Sequence, residues 1–226
     1  MNQIPIIVIS SSQTGTGKTT LALNLAAAFW CDGYEVGFLT SENATIRQFM
    51  QKRRALTQKH EIKLSFPYLL TQVTEFPSSK NQKKVIIADI NVKDLAKYGS
   101  LFAIAHTLIT VASSKDDLNW SHSDDYADAI WQAKKAAAAR GAKINWIVVP
   151  NQLSATNTSL GDDLDLAAKR HGFRVAPMLH YRSAFKHLFD GYCAADMAVF
   201  PEVFPMTMAD VYARREILTL TDFLWK

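Results

Sequence analysis

Ser12-Gln13-Thr14-Gly15-Thr16-Gly17-Lys18-Thr19-Thr20 is the stretch whose reading decides the fold. It follows the β-branched run Ile4–Ser10, which reads as a strand buried on both faces. It opens Thr19–Trp30, where Leu21, Leu25, Ala28 and Phe29 fall at helical spacing and Asp32-Gly33 supplies a stop. Strand, glycine-rich turn and helix, in that order, form the setting in which Gly-Lys-Thr holds phosphate. Gly15 and Gly17 let the backbone curl until successive N–H groups face one concavity, and the helix N-terminus adds its positive end. Lys18 is then placed to reach the β- and γ-phosphates of a nucleotide, and the Thr19 hydroxyl to ligate Mg²⁺. A turn that merely caps a helix is the bland alternative, and it leaves strand, Gly-Lys-Thr and helix together unexplained. Ser12 stands where the strict pattern has its first glycine.

Outward from the loop, strands and helices alternate. Glu35–Leu39 reads as a strand and Ile46–Thr57 as a helix carrying Arg47, Lys52, Arg53 and Arg54. Pro67–Lys84 looks like an irregular surface excursion, with Pro67, Pro77 and a polar run after it. Val85–Ile90 is an apolar strand containing Asp89, Val92–Ala105 a helix and Thr107–Val111 a strand. Alanine-rich Ser123–Arg140 is a helix ended by Gly141. Ile144–Val149 is a strand stopped by Pro150, and Asp162–His171 a helix with acids first and bases last. Phe173–Val175 gives a sixth strand, and Arg182–Phe189 and Ala209–Trp225 give two closing helices. The expectation is an α/β fold: one domain over 1–226, a mostly parallel twisted sheet with helices on both faces. In such sheets ligands sit beyond the carboxyl ends of the strands, where Ser12–Thr20, Glu42, Asp89 and Asn151 all fall.

The totals agree with one globular core. Of the 226 residues 48% are hydrophobic, which argues against disorder. A net charge of +4 permits an acidic partner such as DNA without arguing for one. Cys31 and Cys193 lack metal-ligand spacing, and Cys31 reads as packing. No leader-like segment and no long apolar run are present, so a cytoplasmic protein without a membrane span is expected.

With Gly15-Thr16-Gly17-Lys18-Thr19-Thr20, Phe49, Arg53-Arg54 and Trp146-Ile147-Val148-Val149-Pro150-Asn151, the chain resembles the ParA/MinD group of P-loop ATPases. Lys169-Arg170-His171-Gly172-Phe173-Arg174, continued through Pro177, Leu179, Arg182, Phe185 and Leu188-Phe189, is similar to the MipZ family of division-plane positioning ATPases within that group. The resemblance implies ATP and Mg²⁺ as ligands, bound by Ser12, Thr14, Gly15, Thr16, Gly17, Lys18, Thr19 and Thr20. It implies Asn151 at the adenine edge, and Thr19 with Asp89 on the metal side. It implies a homodimer when ATP is bound, a ParB-like partner, non-specific DNA and a tubulin-like division protein, with nucleoid association. The family's signature lysine is replaced by Gln13, its second aspartate after strand two by Glu42, and its Asp-Thr-Pro-Gly-Gly switch by Asp89-Ile90-Asn91-Val92-Lys93. Glutamine brings no charge to the transition state, where a charged finger is worth about 10³–10⁵ in rate, so binding with weak hydrolysis is expected.

Smaller features leave alternatives open. Asn151 after Pro150 is also an ordinary turn residue. Asp89 could cap a turn instead of contacting Mg²⁺ through water. Lys169, Arg170, Arg174, Arg182 and Lys186 are candidates for DNA contact, or simply solvated helix surface. His180 and His187 are seven apart with no third ligand in view, which disfavours metal. Leu220, Phe223 and Trp225 suit packing on the sheet better than a membrane helix. Three function classes compete: an ATP-dependent dimerising switch, a pseudo-ATPase adaptor working through protein contacts, and a small-molecule kinase or ligase. Gln13, Thr40 and the Asp89–Lys93 segment favour the adaptor, while intact Gly17-Lys18-Thr19 and Glu42 favour the switch.

Overall fold

The computed structural model describes residues 4–41, 43–77, 83–114, 116–121, 125–152 and 159–225. In chain order its elements are β1 (Ile6–Ser10), α1 (Lys18–Cys31), β2 (Tyr34–Thr40), α2 (Asn43–His60), β3 (Tyr68–Leu70), β4 (Lys83–Asp89) and α3 (Leu95–Ile104). There follow β5 (Thr107–Ala112), α4 (Asp125–Ala138), β6 (Asn145–Pro150), α5 (Ser159–His171), β7 (Arg174–Val175), α6 (Ala194–Val199) and α7 (Met208–Leu224). The strands form a seven-stranded parallel sheet in the order β3-β2-β4-β1-β5-β6-β7. The chain divides into two compact units, Met1–Lys18 with Ala88–Tyr181 and Thr19–Ile87 with Arg182–Lys226.

In the first unit, β1, β5 and β6 are buried almost throughout, as parallel strands covered on both faces must be. The register runs Ile7↔Thr107 to Ser10↔Thr110, then Thr107↔Asn145 to Ala112↔Pro150. The three carboxyl ends therefore lie side by side, and the segments that leave them come together. Two buried polar side chains of this core meet at one hydroxyl. Trp146 Nε1 donates to Thr110 Oγ1 at 2.9 Å, and that hydroxyl shares a 2.9 Å hydrogen bond with Tyr126. Gly141 ends the turn after α4 at φ 72°, with its N–H on Ala138 and that of Ala142 on Ala137.

In the second unit, α2 buries the stripe Ile46, Phe49, Met50 and Arg53. Arg53 is 2% exposed and forms a two-pronged pair with Asp196 of α6, both bonds 2.7 Å. Two further donors reach Ser65 O at 2.5 Å and Gly191 O at 3.2 Å, so four of the five N–H groups of the buried guanidinium are engaged. Asp196 also accepts from Cys193 N at 2.8 Å, capping α6. α7 begins with a capping box in which Asp210 accepts from Thr207 N (2.8 Å) and Thr207 Oγ1 (2.6 Å). Its buried face is Ala213, Ile217, Leu220 and Leu224. Trp225 stacks on Tyr34 with centroids 6.3 Å apart and stays half exposed.

Four sequence expectations change. The stretch from Pro67 is not wholly irregular, since Tyr68–Leu70 pairs in parallel with Gly37–Leu39 and makes a seventh strand. Residues Ser183–Asp190 form a 3₁₀ helix with Arg182 as its cap, in place of the α-helix expected from Arg182 to Phe189. A short helix, α6, lies in a stretch read as having none. The expected helix from Val92 is a 3₁₀ turn, Val92–Asp94, that runs into α3.

Candidate functional site

The loop after β1 is built by residues of the first unit. Gly15 and Gly17 have φ of 81° and 90°, a region that costs an L-residue roughly 1–2 kcal/mol. Gly17 has a second constraint: a Cβ there would fall on Asn151 Nδ2 and lie 2.8 Å from Gln152 Nε2. Around Gly15 nothing lies within 4 Å of an added Cβ. Asn151, buried beyond β6, donates from Nδ2 to Thr16 O at 2.8 Å, while its own N–H donates to Ala112 O at 2.8 Å. It thus ties the glycine turn to the ends of β5 and β6.

Lys18 is 7% exposed, with Nζ donating to Ser11 Oγ at 2.9 Å and to Gln13 O at 3.0 Å. The Ser11 hydroxyl also donates to Gln13 O. The ammonium is therefore held inside the curl of its own loop. No acidic residue occurs from Ser11 to Cys31, and the first turn of α1 is free of acids. The Thr16 hydroxyl is buried without a hydrogen-bond partner. A concavity with two left-handed glycines, a buried ammonium and a helix N-terminus, and with no acid in its own stretch of chain, fits a polyphosphate. Thr19 is the second residue of α1, and Asp89, 3% exposed, ends β4. Beyond Asp89, Ile90 N donates to Ile9 O at 3.0 Å, and Asn91 turns the chain by accepting from Lys93 N at 3.3 Å.

A third support was not foreseen. Residues Asp116–Ser121 form a 3₁₀ segment after β5. Asp117, 3% exposed, accepts from Ser113 N and Oγ at 2.7 Å and from Ser114 N at 2.9 Å. The turn so fixed presents Asp117 O to Ser12 Oγ at 3.0 Å and Asp116 O to Gln13 Nε2 at 3.2 Å. The serine–aspartate run after an apolar strand was the available signal, because such residues hydrogen-bond their own backbone in turns.

Ser12, Gln13, Thr14, Gly15, Thr16, Gly17, Lys18 and Asn151 thus sit in one construction, with Gln13, Thr14 and Gly15 on its exposed rim. Thr19 and Thr20 continue it into α1. Glu42 lies outside the described residues. The candidate DNA residues divide between the units: Lys169, Arg170 and Arg174 are in the first, Arg182 and Lys186 in the second. Lys169, Arg170 and Lys186 are exposed. Arg182 is half-buried, bonded through Nε and Nη2 to Glu216 at 3.0 and 2.6 Å, and lies over the Tyr212 ring. His187 meets Asp210 at 2.9 Å and Tyr192 at 3.1 Å, and among the described residues no group of three or more His, Cys, Asp and Glu is placed to hold a metal ion. Among the described residues, no helix is long and apolar enough to cross a membrane.

Parallel sheet, glycine turn and buried lysine together define a P-loop nucleotide-binding protein of ParA/MinD type. The family model for ATPase MipZ matches residues 5–105 and 106–225, and the chain belongs to that family of nucleotide-dependent positioning ATPases. No curated protein sequence matches significantly. Among solved structures, the chain is similar to a putative plasmid partition protein of Borrelia burgdorferi bound to AMPPNP, at TM-score 0.61 and 12% identity over 98% of this chain and 99% of that one. It is similar to the MinD cell division protein of Aquifex aeolicus, at TM-score 0.62 and 16% identity over 95% and 96%. McdA of Cyanothece in complex with ATP aligns at TM-score 0.56 and 16% identity over 96% and 97%. At these identities the likeness concerns the fold.

Proposed function

We propose that this chain binds Mg-ATP on the loop Ser12–Thr20, pairs with a second copy when loaded, and hydrolyses the nucleotide slowly. The observation that carries the reading is Lys18, buried inside a glycine curl that Asn151 and the Asp117 turn hold from two sides. Binding of a triphosphate replaces the Ser11 and Gln13 oxygens around Nζ with phosphate oxygens. Loop N–H groups take the remaining phosphate oxygens, and the Thr19 hydroxyl and Asp89 hold the metal. Glu42 is the candidate for positioning water. Asn151 serves the nucleotide first by fixing the loop; contact with the adenine edge would use its side-chain oxygen.

Weak turnover follows from Gln13. Its amide donates to Asp116 O within the same chain, and it carries no charge to set against the developing phosphoryl charge. The same observation favours a second reading, an adaptor that binds nucleotide and acts through protein contacts. In the first reading the dimer works in chromosome segregation or division-site placement, in the cytoplasm and on the nucleoid. Its partners would be a ParB-like protein, a tubulin-like division protein and non-specific DNA. DNA contact would fall to Lys169, Arg170, Arg174, Arg182 and Lys186, and Arg182 would have to leave its pair with Glu216 to make it.

Light scattering separates the two. The switch reading expects the 25.3 kDa monomer mass to double with Mg-ATP and to stay single without it. A chain that binds Mg-ATP and remains at the monomer mass supports the adaptor.

A further inference from the structure

We propose that a groove in the second unit, beside strand β3, is a docking site for an extended acidic peptide segment with apolar side chains, supplied by a partner protein. The groove encloses about 900 Å³, near the upper end of ligand-sized clefts. Its lining brings together Trp30, Tyr34, Phe66 and Tyr68 with the cations Arg54 and Lys63. β3 is the outermost strand of the sheet, and its Tyr68 and Leu69 are 47% and 51% exposed. An edge strand with apolar side chains turned to solvent invites a pairing segment, and extended peptides commonly add at such edges.

Charge decides what kind of segment fits. The one acid in the lining is Glu35, which Lys84 already faces at 3.4 Å. Arg54 lies over the Phe66 ring at 5.9 Å, and among the described residues neither Arg54 nor Lys63 is paired with a carboxylate. Lys83 adds a third cation, 5.3 Å from the centroid of Tyr34. The groove therefore presents aromatic and aliphatic surface under a net positive field, complementary to acids alternating with apolar side chains. Nucleic acid is the poorer match. Its affinity rests on one cation per phosphate contacted, whereas Val36, Met50 and Leu64 extend this lining with apolar surface.

None of these residues belongs to the phosphate loop, and the test below contains no nucleotide, so its outcome is independent of the proposed ATP binding. Fluorescent peptides of about eight residues, a length that spans such a groove when extended, are titrated against the full chain by anisotropy. One pool alternates Asp or Glu with Leu, Phe or Trp, a second has Lys at every acidic position, and the third probe is oligodeoxythymidine. The variant joins Arg54→Glu and Lys63→Glu, both at exposed positions, with its melting curve as a control. A second variant, Tyr68→Ser, alters the apolar contact without touching charge. We expect the acidic pool to bind the wild type, to lose about tenfold or more in the charge-reversed variant, and to weaken in Tyr68→Ser. We expect the lysine pool to bind only the charge-reversed variant. Failure of the acidic pool to bind, equal binding of both pools, an unchanged affinity in both variants, or oligodeoxythymidine binding more tightly than the acidic pool would each overturn the proposal.

Discussion

Replacing Gly17 and Gly15 separately by alanine distinguishes close approach from backbone freedom in the phosphate loop. Both residues have positive φ, so each substitution carries the left-handed penalty of about 1–2 kcal/mol. At Gly15 the added methyl meets nothing within 4 Å, and the cost stops there. At Gly17 it displaces the Asn151 amide, which must give up its 2.8 Å bond to Thr16 O, a further loss of about 0.5–1.5 kcal/mol. The combined loss of folding stability and Mg-ATP affinity is therefore about 1–2 kcal/mol for Gly15→Ala and about 1.5–3.5 kcal/mol for Gly17→Ala. If the loop relaxes so that the loss falls on binding, these become roughly 5–30-fold and 10–400-fold in Kd. Urea unfolding and calorimetry on the same preparations give the two parts of each sum. Asn151→Ala should bring the two alanine variants closer, because the group struck by the methyl is gone. Equal losses for Gly15→Ala and Gly17→Ala, unaffected by Asn151→Ala, would refute the reasoning.

Gln13→Lys should raise single-turnover hydrolysis by up to about 10³-fold with little change in Mg-ATP affinity; an unchanged rate would place the deficit elsewhere. Asp196→Asn or Arg53→Met leaves a buried group without its partner, and urea unfolding should show a loss of about 3–5 kcal/mol. The double variant Arg53→Met with Asp196→Leu should recover much of it. Burial pushes the Asp210 carboxyl up, but hydrogen bonds from Thr207 and His187 outweigh it and hold it below its ordinary value. A depressed carboxylate contributes stability above its unfolded-state value and loses it as pH falls through the folded one. Asp210→Asn should accordingly flatten the fall in melting temperature below about pH 4.

Much of this structure was legible where local pattern and burial coincide. β1, β5 and β6 are continuous apolar runs, and parallel strands covered on both faces leave that mark. α1 and α7 ended within two residues of their apolar repeats. β3 escaped because three residues, two of them exposed, carry no period and are a strand only through pairing with Gly37–Leu39. At Ser183–Asp190 the apolar spacing suits either helix type, and the left-handed Gly191 ends the 3₁₀ segment with its N–H on Leu188 O. That glycine is required, since a Cβ would strike the α2 backbone at Arg53 N, 2.6 Å away. In the site, Lys18 and the glycines were readable because the chemistry is local to nine residues. Asp117 reaches the loop across more than one hundred positions, and only the fold discloses its role.

Calorimetry of the wild type and Lys18→Ala with Mg-ATP, at matched protein concentration, tests whether the loop after β1 is a working nucleotide site. Saturable binding by the wild type, lost or weakened by orders of magnitude in Lys18→Ala, is the predicted result. No heat from the wild type, or equal heat from both proteins, would contradict it.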